Sequence, residues 1–547
     1  MRGSHGLKFL AALLLTLLIS GNAESQFSDG GGANTRNYQL LQEVIDILSD
    51  QYVDEVPPEE LIMGAVDGLV GSLDPHSQLL DQKRHSRLME QTRGEFGGIG
   101  IEISMRDDSI TVLSPIPGTP AQRVGLQSGD RIVKIEHEWT DDMSLDDAVK
   151  RLKGKPGTVV NIWVARIGVD EPVHFEITRA IIKIESLQGK FMLTPEIGYI
   201  RLGVFSDKSG QEMAESIVEL QKLGMKKLIF DLRDNPGGLL SRAVDVADIF
   251  LDPGEVIVST RGRINSSNQV FKARRTPLWS GGPVITMISG GSASASEIVS
   301  GALQDHDEAV IMGTASYGKG SVQTIIDLRD RYALKLTTAK YYTPSGRCIH
   351  SDRRAGEDHQ TLLTAEDTAQ VFYTDSGRRV RGGGGITPDL ITPPDSMVEA
   401  ERKIFRQAGK FRNLLFRFAV KHKSEHPEYV NEQLNSVAYA ENFRDQVFVL
   451  SDEVMNDVRA MMLDEGFELS EQEFEDTDRL LRQWVYYYIA DAGYDHNTAQ
   501  RISAGYDNQL QQALELIESA SSGGDFVQTV LAGRTLPDTL EMSRMAR

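Results

Sequence analysis

Cysteine is almost absent from this chain, because only Cys348 occurs in 547 positions. A single cysteine excludes an intramolecular disulfide and a CxxC metal or redox pair, so we expect a lone buried thiol. Basic residues are also in deficit: 58 Lys and Arg stand against 79 Asp and Glu, which gives a formal net charge of −21. This balance argues against nucleic acid or an anionic membrane as a partner.

Long apolar runs are also scarce, and the one of note lies at the amino terminus. It covers residues 9–19, after Arg2 and Lys8 and before the small residue Ala23. Such a run is too short to span a bilayer comfortably, and its flanks are typical of a secretory signal peptide over 1–23. An uncleaved anchor is the alternative. We therefore expect an exported protein with no integral membrane span after signal cleavage.

Several common catalytic signatures are missing. No GxSxG, HExxH or CxxC occurs, so an α/β-hydrolase elbow and a zinc peptidase lack their motifs. The stretch GTASYGKGS imitates a P-loop through Gly318 and Lys319, but Gly320 stands where a magnesium-binding Ser or Thr is needed. The residues that follow are typical of a strand rather than of a phosphate-binding helix. Nucleotide binding is disfavoured, and we expect no metal and no cofactor.

Four regions follow the signal segment. Apolar residues recur at helical spacing over 36–92, whereas 93–178 alternates short strands with turns around one short helix. Region 179–395 alternates strands with helices, which indicates an α/β layout. Region 396–547 is helical and rich in charge, and it carries no chemical motif.

A glycine-rich loop at 97–100 runs directly into the strand-like sequence IEI. Such a loop presents several backbone N–H groups in one place, which suits a carboxylate, and a free strand edge beside it adds an extended peptide. Together with AQRVGLQSGDRIVKIE, these residues make 93–178 resemble a PDZ domain, a module that binds peptide carboxyl termini. A small β module that merely packs is the alternative. The resemblance implies a peptide-binding set composed of Gly97, Gly98, Ile99, Gly100 and Ile101.

The segment GGSASASEIVSGALQDH at 290–306 has two interpretations. Ser294 and Glu297 have the spacing of a capping box, which only starts a helix. Alternatively, a strand, a turn and a helix place a nucleophile at a helix N-terminus, where free N–H groups favour an oxyanion. Lys319, between two glycines, is a candidate base, since burial favours a neutral amine. Together Ser294 and Lys319 suggest a Ser–Lys dyad.

These segments resemble the signature of the carboxyl-terminal processing peptidases, also called tail-specific proteases. Further motifs match that family in its order: GSLDPHS (71–77), FGGIGIEI (96–103), GYIRLGVFSD (198–207), LIFDLRDNPGGLL (228–240), YYTPSGRCI (341–349) and GGGITPDL (383–390). The resemblance covers roughly 40–395. It implies a crotonase/Clp-like spiral protease core with an inserted PDZ domain, an α/β multidomain fold with helical ends.

The resemblance also implies roles for individual residues. The catalytic side chains would be the nucleophile, the general base and a residue that orients the base: Ser294, Lys319 and Gln323. The oxyanion hole would use backbone N–H groups of Ala295 and of Gly237 or Gly238. Asp305 matches a position sometimes counted with the catalytic set. One straight helix would separate it from Ser294 by roughly 16 Å, so we expect Asp305 to have a structural role. Ser292 and Ser296 are expected to be structural neighbours.

The function implied is that of an exported, periplasmic serine endopeptidase that cleaves proteins near their carboxyl termini. Its partners would be proteins or peptides with exposed carboxyl termini, captured by the PDZ domain, which would also gate activity. The extension at 396–547 would serve an adaptor, self-association or a lid. The alternative is a catalytically silent PDZ scaffold that only binds peptide tails.

Overall fold

The described residues of the computed structural model form two compact units, one of residues 31–81 with 325–328 and 332–336, and one of the other described residues. The described residues are 31–328, 332–350, 370–426, 434–520 and 523–532. The signal peptide expected at 1–23 therefore lies outside them. Among the helices of these ranges, none combines the length and the apolar composition needed to cross a membrane.

The first unit contains the amino-terminal helices. Its elements are α1 (Gly31–Gln51), α2 (Pro58–Gly71) and β1 (Gln78–Leu80). Helix α2 begins with a proline at its first position and has Glu59 and Glu60 in its first turn, where fixed φ and negative charge favour a helix start. Strand β1 pairs antiparallel with residues 333–335 of β18 (Ala333–Tyr342). The segment with helical spacing is thus largely helical.

The second unit begins with a small β domain. Its helices are α3 (Gln82–Arg93), α4 (Pro120–Arg123) and α5 (Leu145–Leu152). Its strands are β2 (Glu95–Gly98), β3 (Ile101–Arg106), β4 (Ser109–Pro115), β5 (Arg131–Ile135), β6 (Glu138–Trp139), β7 (Val159–Ala165), β8 (Val173–Thr178) and β9 (Ala180–Lys183). The main sheet has the order β3-β4-β5-β7-β8, so β3 is an edge strand, and α5 packs against it.

The expected glycine loop is shorter than predicted. Gly97 and Gly98 belong to β2, which pairs antiparallel with β9, and only Ile99 and Gly100 connect β2 to β3. Position 97 of this strand requires glycine because the backbone of Gly154 packs against it. A Cβ at position 97 would lie 2.2 Å from the carbonyl oxygen of Gly154. The prediction that all four residues form one loop was wrong.

The centre of the second unit is a six-stranded sheet of order β10-β11-β12-β15-β16-β21, parallel except for the β10–β11 pair. Its strands are β10 (Leu187–Met192), β11 (Ile197–Leu202), β12 (Lys227–Asp231), β15 (Val284–Ile288), β16 (Val310–Gly313) and β21 (Leu390–Ile391). Three helices cover one face: α6 (Ser209–Lys222), α7 (Leu240–Ala247) and α8 (Ala295–Asp305). The expected α/β layout is confirmed.

Further strands surround this sheet. They are β13 (Val256–Gly262), β14 (Gln269–Lys272), β17 (Ser321–Asp327), β18, β19 (Val371–Tyr373) and β20 (Arg379–Arg381). A short 3₁₀ helix (Asn265–Ser267) links β13 to β14. Strand β13 pairs with β14 and with residues 339–342 of β18. Strand β17 begins where the sequence predicts a strand rather than a phosphate-binding helix.

The carboxyl-terminal region is helical, as expected. It comprises α9 (Glu399–Phe405), α10 (Ala408–Glu425), α11 (Phe443–Val447), α12 (Asp452–Asp464), α13 (Glu471–Asp476), α14 (Asp478–Gly493), α15 (His496–Ala504), α16 (Asn508–Glu518) and α17 (Gly523–Leu531). Helices α9 to α15 enclose an apolar cluster of their own. Helices α16 and α17 cover the second face of the central sheet, on which Tyr199 and Ile229 point away from α6 to α8. A mainly parallel sheet needs both faces covered, so this region completes the α/β core.

Two polar contacts fix this helical region. Arg233, next to the end of β12, pairs with buried Asp231 at 2.6 Å and with Asp507 at 2.6 Å, just before α16. Helix α10 contacts the small β domain, because the amide of Asn413 donates to Asp107 at 2.8 Å. The carboxyl-terminal helical region thus contacts both the PDZ-like domain and the central sheet.

Candidate active site

Ser294 lies at the junction between β15 and α8, where the sequence predicts a nucleophile. Strand β15 is buried along its whole length, and α8 begins at the next residue, Ala295. Ser294 has φ 56° and ψ −110°, a conformation that residues with a Cβ rarely adopt. The strain costs about 1–3 kcal/mol and is typical of functional positions. The sharp turn leaves the Ser294 side chain half-buried at the start of the helix.

Glu297 connects the nucleophile segment to the lysine segment. Its Oε2 atom accepts the backbone N–H of Ser294 at 2.7 Å and the backbone N–H of Lys319 at 2.9 Å. Its Oε1 atom accepts the Ser316 hydroxyl at 2.5 Å and the Gly318 N–H at 2.7 Å. One carboxylate oxygen therefore holds the main chains of Ser294 and Lys319 together. Glu297 contacts the N-cap backbone as the capping-box spacing predicts.

The position of Glu297 disfavours the charged form of its carboxyl group. The side chain is fully buried, and burial raises its pKa, while the four donors to its oxygens oppose that rise. All four donors require an acceptor, so the geometry fits the ionised carboxylate.

Lys319 lies on the loop that leads into β17. The next residue, Gly320, packs so closely on His350 that a Cβ would lie 2.5 Å from its backbone nitrogen. The Gly320 carbonyl accepts the backbone N–H of Tyr341 at 2.9 Å. Glu297 on one side and Tyr341 on the other thus fix the main chain around Lys319, whose side chain is half-buried.

Tyr341, on β18, contacts the side chain of Ser294 directly. Its phenol oxygen lies 2.8 Å from Oγ of Ser294. Burial raises the pKa of Tyr341 well above its ordinary value, so the phenol keeps its proton. A phenol that donates to Oγ leaves the serine proton free to point elsewhere, including towards a base. Tyr341 lies in the motif YYTPSGRCI, but a single tyrosine in a strand carries no recognisable signal of a role at the site.

Gln323, the expected partner of the lysine, lies on β17. Its side-chain amide donates to the hydroxyl of Ser321 at 2.8 Å and to that of Thr337 on β18 at 3.4 Å. Gln323 therefore lies in a strand that begins two residues after Lys319, rather than one turn of a helix beyond it.

The backbone groups expected to form the oxyanion hole lie together. A Cβ on Gly237, whose φ is 96°, would fall 2.8 Å from Cβ of Ser294 and 2.9 Å from the nitrogen of Ala295. The N–H of Gly237 donates to the side chain of Asn235 at 2.9 Å. The N–H groups of Gly238 and Ala295 have no acceptor within the described part of the chain. Only glycine at 237 lets the loop approach the nucleophile this closely.

The neighbouring serines are structural, as expected. Ser296 lies inside α8, and its hydroxyl donates to the carbonyl of Asn235 at 2.9 Å. Ser292 lies in the preceding turn, and its hydroxyl donates to the carbonyl of Leu232 at 2.8 Å. Both are fully buried and fix the loop after β12 against the nucleophile turn.

Asp305 is the last residue of α8, at the opposite end from Ser294. Its carboxylate accepts Arg347 at 2.7 Å and the backbone N–H of Ser345 at 3.0 Å, and both Asp305 and Arg347 are buried. Asp305 therefore holds the 343–347 turn that follows β18. Cys348, next to this turn, is half-buried, so the lone thiol is less buried than expected.

The peptide-binding residues predicted for the PDZ-like domain lie between β2 and β3. The N–H groups of Ile99 and Gly100 donate to no acceptor among the described residues, while the carbonyl of Gly100 accepts the hydroxyl of Thr119 at 3.0 Å. Ile101 starts the edge strand β3 and pairs on its other side with Pro115. A free strand edge thus begins beside two available N–H donors.

The chain is similar to known proteins along most of its length. Peptidase family S41 matches residues 196–356, and the PDZ domain family matches residues 88–164. A carboxy-terminal-processing protease of Bartonella bacilliformis is 42% identical over 345 residues, covering 62% of this chain and 79% of that protein. The carboxy-terminal processing protease CtpA of Bacillus subtilis is 31% identical over 375 residues, covering 68% and 79%.

Among solved structures, a photosystem II D1 C-terminal processing protease matches at 24% identity with a TM-score of 0.35, covering 65% of this chain and 92% of that one. The family resemblance read from the motifs is confirmed by the sequence relatives. The chain belongs to peptidase family S41 and is a serine-type peptidase with a PDZ domain.

Proposed function

We propose that this peptidase cleaves protein substrates near their carboxyl termini with Ser294 as nucleophile and Lys319 as general base. The observation that carries the proposal is the shared oxygen of Glu297, which accepts the backbone N–H groups of both residues. The names of its relatives support the same substrate class. A protein that only binds peptide tails does not need Ser294 and Lys319, 25 positions apart in sequence, to be held at one buried carboxylate.

The reaction is acyl transfer. Neutral Lys319 accepts the proton of Ser294 as Oγ attacks the carbonyl carbon of the scissile peptide bond. The negative charge that develops on the carbonyl oxygen is stabilised by N–H groups of Ala295 and Gly238, which are without other acceptors in the described structure. Lys319 then gives its proton to the leaving amine, and a water that Lys319 deprotonates hydrolyses the acyl-enzyme. Gln323, through Ser321 and Thr337, supports the strand that follows the base.

The loop at Ile99 and Gly100 would receive the substrate's terminal carboxylate, while the edge of β3 would pair with the preceding residues. This mode of binding would bring a protein's tail to the protease core, and docking there would gate activity. The α10 contact with the PDZ domain supports such coupling.

Export to the periplasm, with signal cleavage after Ala23, is the third part of the proposal. It rests on the charge and apolar pattern of 1–23. Amino-terminal sequencing of the mature protein from a periplasmic fraction tests it, and an intact Met1 in that fraction would contradict cleavage.

The helical region is where an adaptor or a second copy would attach. Val449 and Leu463 are large apolar side chains that remain 67% and 53% exposed there. Replacing both by Asp should abolish adaptor capture or lower the mass measured by light scattering. An unchanged mass together with unchanged adaptor binding would contradict this role.

The decisive test of the reaction is mass spectrometry of a substrate with an exposed carboxyl terminus. Wild type, Ser294→Ala and Lys319→Ala are compared, with Ser266→Ala and Lys226→Ala as exposed controls. We expect fragments from wild type and both controls, and a loss of at least about 10³-fold in the two dyad variants. Equal cleavage by all five proteins would reject the dyad, and no cleavage by any would favour the silent scaffold.

A further inference from the structure

His306, which caps the carboxyl end of α8, lies between groups that all accept hydrogen bonds. Its Nε2 atom is 2.8 Å from the backbone carbonyl of Val256. Its Nδ1 atom is 2.7 Å from Oδ2 of Asp375 and 3.9 Å from Oε1 of Glu255. These residues come from three elements: the C-cap of α8, the start of β13, and the turn between β19 and β20.

The carbonyl of Val256 only accepts, so it fixes the proton of a neutral His306 on Nε2. Nδ1 lies within hydrogen-bond distance of Asp375 and also faces Glu255, so either the proton of an imidazolium or a metal ion must lie between Nδ1 and the two carboxylates. A histidine that donates one ring N–H to a backbone carbonyl while its other nitrogen faces the ligand position is the common arrangement around protein-bound metals.

We propose that Glu255, His306 and Asp375 form a binding site for Zn²⁺. The ligand atoms all lie within 4.8 Å of one another. Ligands at about 2.0–2.2 Å from a tetrahedral zinc are roughly 3.3 Å apart, so shifts of well under 1 Å on average would seat the ion. One imidazole and two carboxylates suit zinc better than Mg²⁺ or Ca²⁺, which prefer oxygen alone. Water would take the fourth position.

The surroundings hold the ligands in place and leave a route of entry. Arg378 on the β19–β20 turn pairs with Asp307 at 2.6 Å and with Asp389 at 2.7 Å, which fixes the turn that carries Asp375. The side chain of His306 is 8% exposed, whereas that of Asp375 is 67% exposed and opens the site to solvent. The ion would cross-link three elements at the end of α8 opposite to Ser294, and would act on stability rather than on the peptidase chemistry.

Isothermal titration of the chelator-stripped full chain with Zn²⁺ at pH 7.5 tests the proposal. We expect one site per chain in wild type, and affinity weakened at least tenfold in His306→Gln, Glu255→Gln and Asp375→Asn. His496→Gln is the matched control and should bind like wild type, because Asp491, at 3.3 Å, is the one carboxylate within ion-pair distance of His496 among the described residues. Zinc should also raise the Tm of wild type and of the control, but not that of His306→Gln.

The site would be overturned if wild type did not bind Zn²⁺, or if the three ligand variants bound Zn²⁺ as tightly as wild type. If lowering the pH from 8 to 6 raises the Tm while zinc has no effect, the cation is a proton only, and the proposal fails. Asp375→Asn keeps the test informative if the buried His306 variant does not fold, since Asp375 is exposed.

Discussion

The hydroxyl oxygen of Ser294 lies 2.8 Å from the phenol oxygen of Tyr341. This contact connects the N-cap of α8 to β18, two elements that share no sequence motif. Because the phenol stays protonated, it can donate to Oγ, and it would then hold the rotamer of the proposed nucleophile and stabilise charge that develops on Oγ.

Replacing Tyr341 by Phe should lower kcat by about ten- to a hundredfold with little change in KM, since one donor at the reacting oxygen is lost. Steady-state kinetics on a tail-bearing peptide measure both constants. Tyr342→Phe is the matched control, because the next strand residue points to the other face and its ring packs on Arg261. A kcat at or above the wild-type value in Tyr341→Phe would contradict the positioning role.

Glu297→Gln should reduce kcat/KM at least about a hundredfold. The amide nitrogen of Gln would face two N–H or O–H donors in place of an acceptor, leaving buried donors unpaired at about 1–3 kcal/mol each. Thermal unfolding should show a lower Tm for the same reason. Ser316→Ala removes only one of the four donors and should lose less activity. Full activity in Glu297→Gln would show that the shared carboxylate is dispensable.

Asp231 should make stability depend on pH in the acid range. Despite burial, Arg233 holds the pKa of Asp231 at about 2, below the ordinary value of 3.8. A depressed folded pKa contributes stability that is present above the unfolded value and is lost as the pH falls through the folded one. The contribution, roughly 2 kcal/mol, should disappear between about pH 4 and pH 2.

Urea unfolding at pH 5 and pH 3 measures this effect. Asp231→Asn should be less stable at pH 5 and should lose less stability on acidification than wild type. Glu196→Gln breaks an exposed pair with Lys226 and should change stability little. An identical pH dependence in wild type and Asp231→Asn would rule out this source.

Gly100→Ala should weaken binding of peptide tails at least tenfold. Gly100 has φ 83°, and an added Cβ would lie 2.4 Å from that of Thr119, whose hydroxyl holds the loop. Gly118→Ala is matched for backbone strain, with φ 72°, but its Cβ would meet nothing within 4 Å. Fluorescence anisotropy with a labelled carboxyl-terminal peptide, in a Ser294→Ala background, compares the two. Equal affinities of the two variants would show that the loop takes no part in binding the peptide tail.

The sequence predicted much of the site because its signals are local. A buried strand, a small-residue turn and a helix fix where Ser294 lies, and glycines flank Lys319. The misplacement of Gly97 and Gly98 has a physical cause. Glycine runs indicate loops, but here a neighbouring backbone approaches so closely that only glycine fits within a strand.

By itself, the sequence determined the α/β core, the PDZ-like domain, the helical carboxyl-terminal region and the two residues of the proposed dyad, since each depends on periodicity or on a short motif. Only the tertiary structure decided that Glu297 joins Ser294 to Lys319, that Tyr341 contacts Ser294, and that α16 and α17 cover the central sheet. These are contacts between segments far apart in the chain. Their geometry depends on how buried faces pack, which no local pattern of residues encodes.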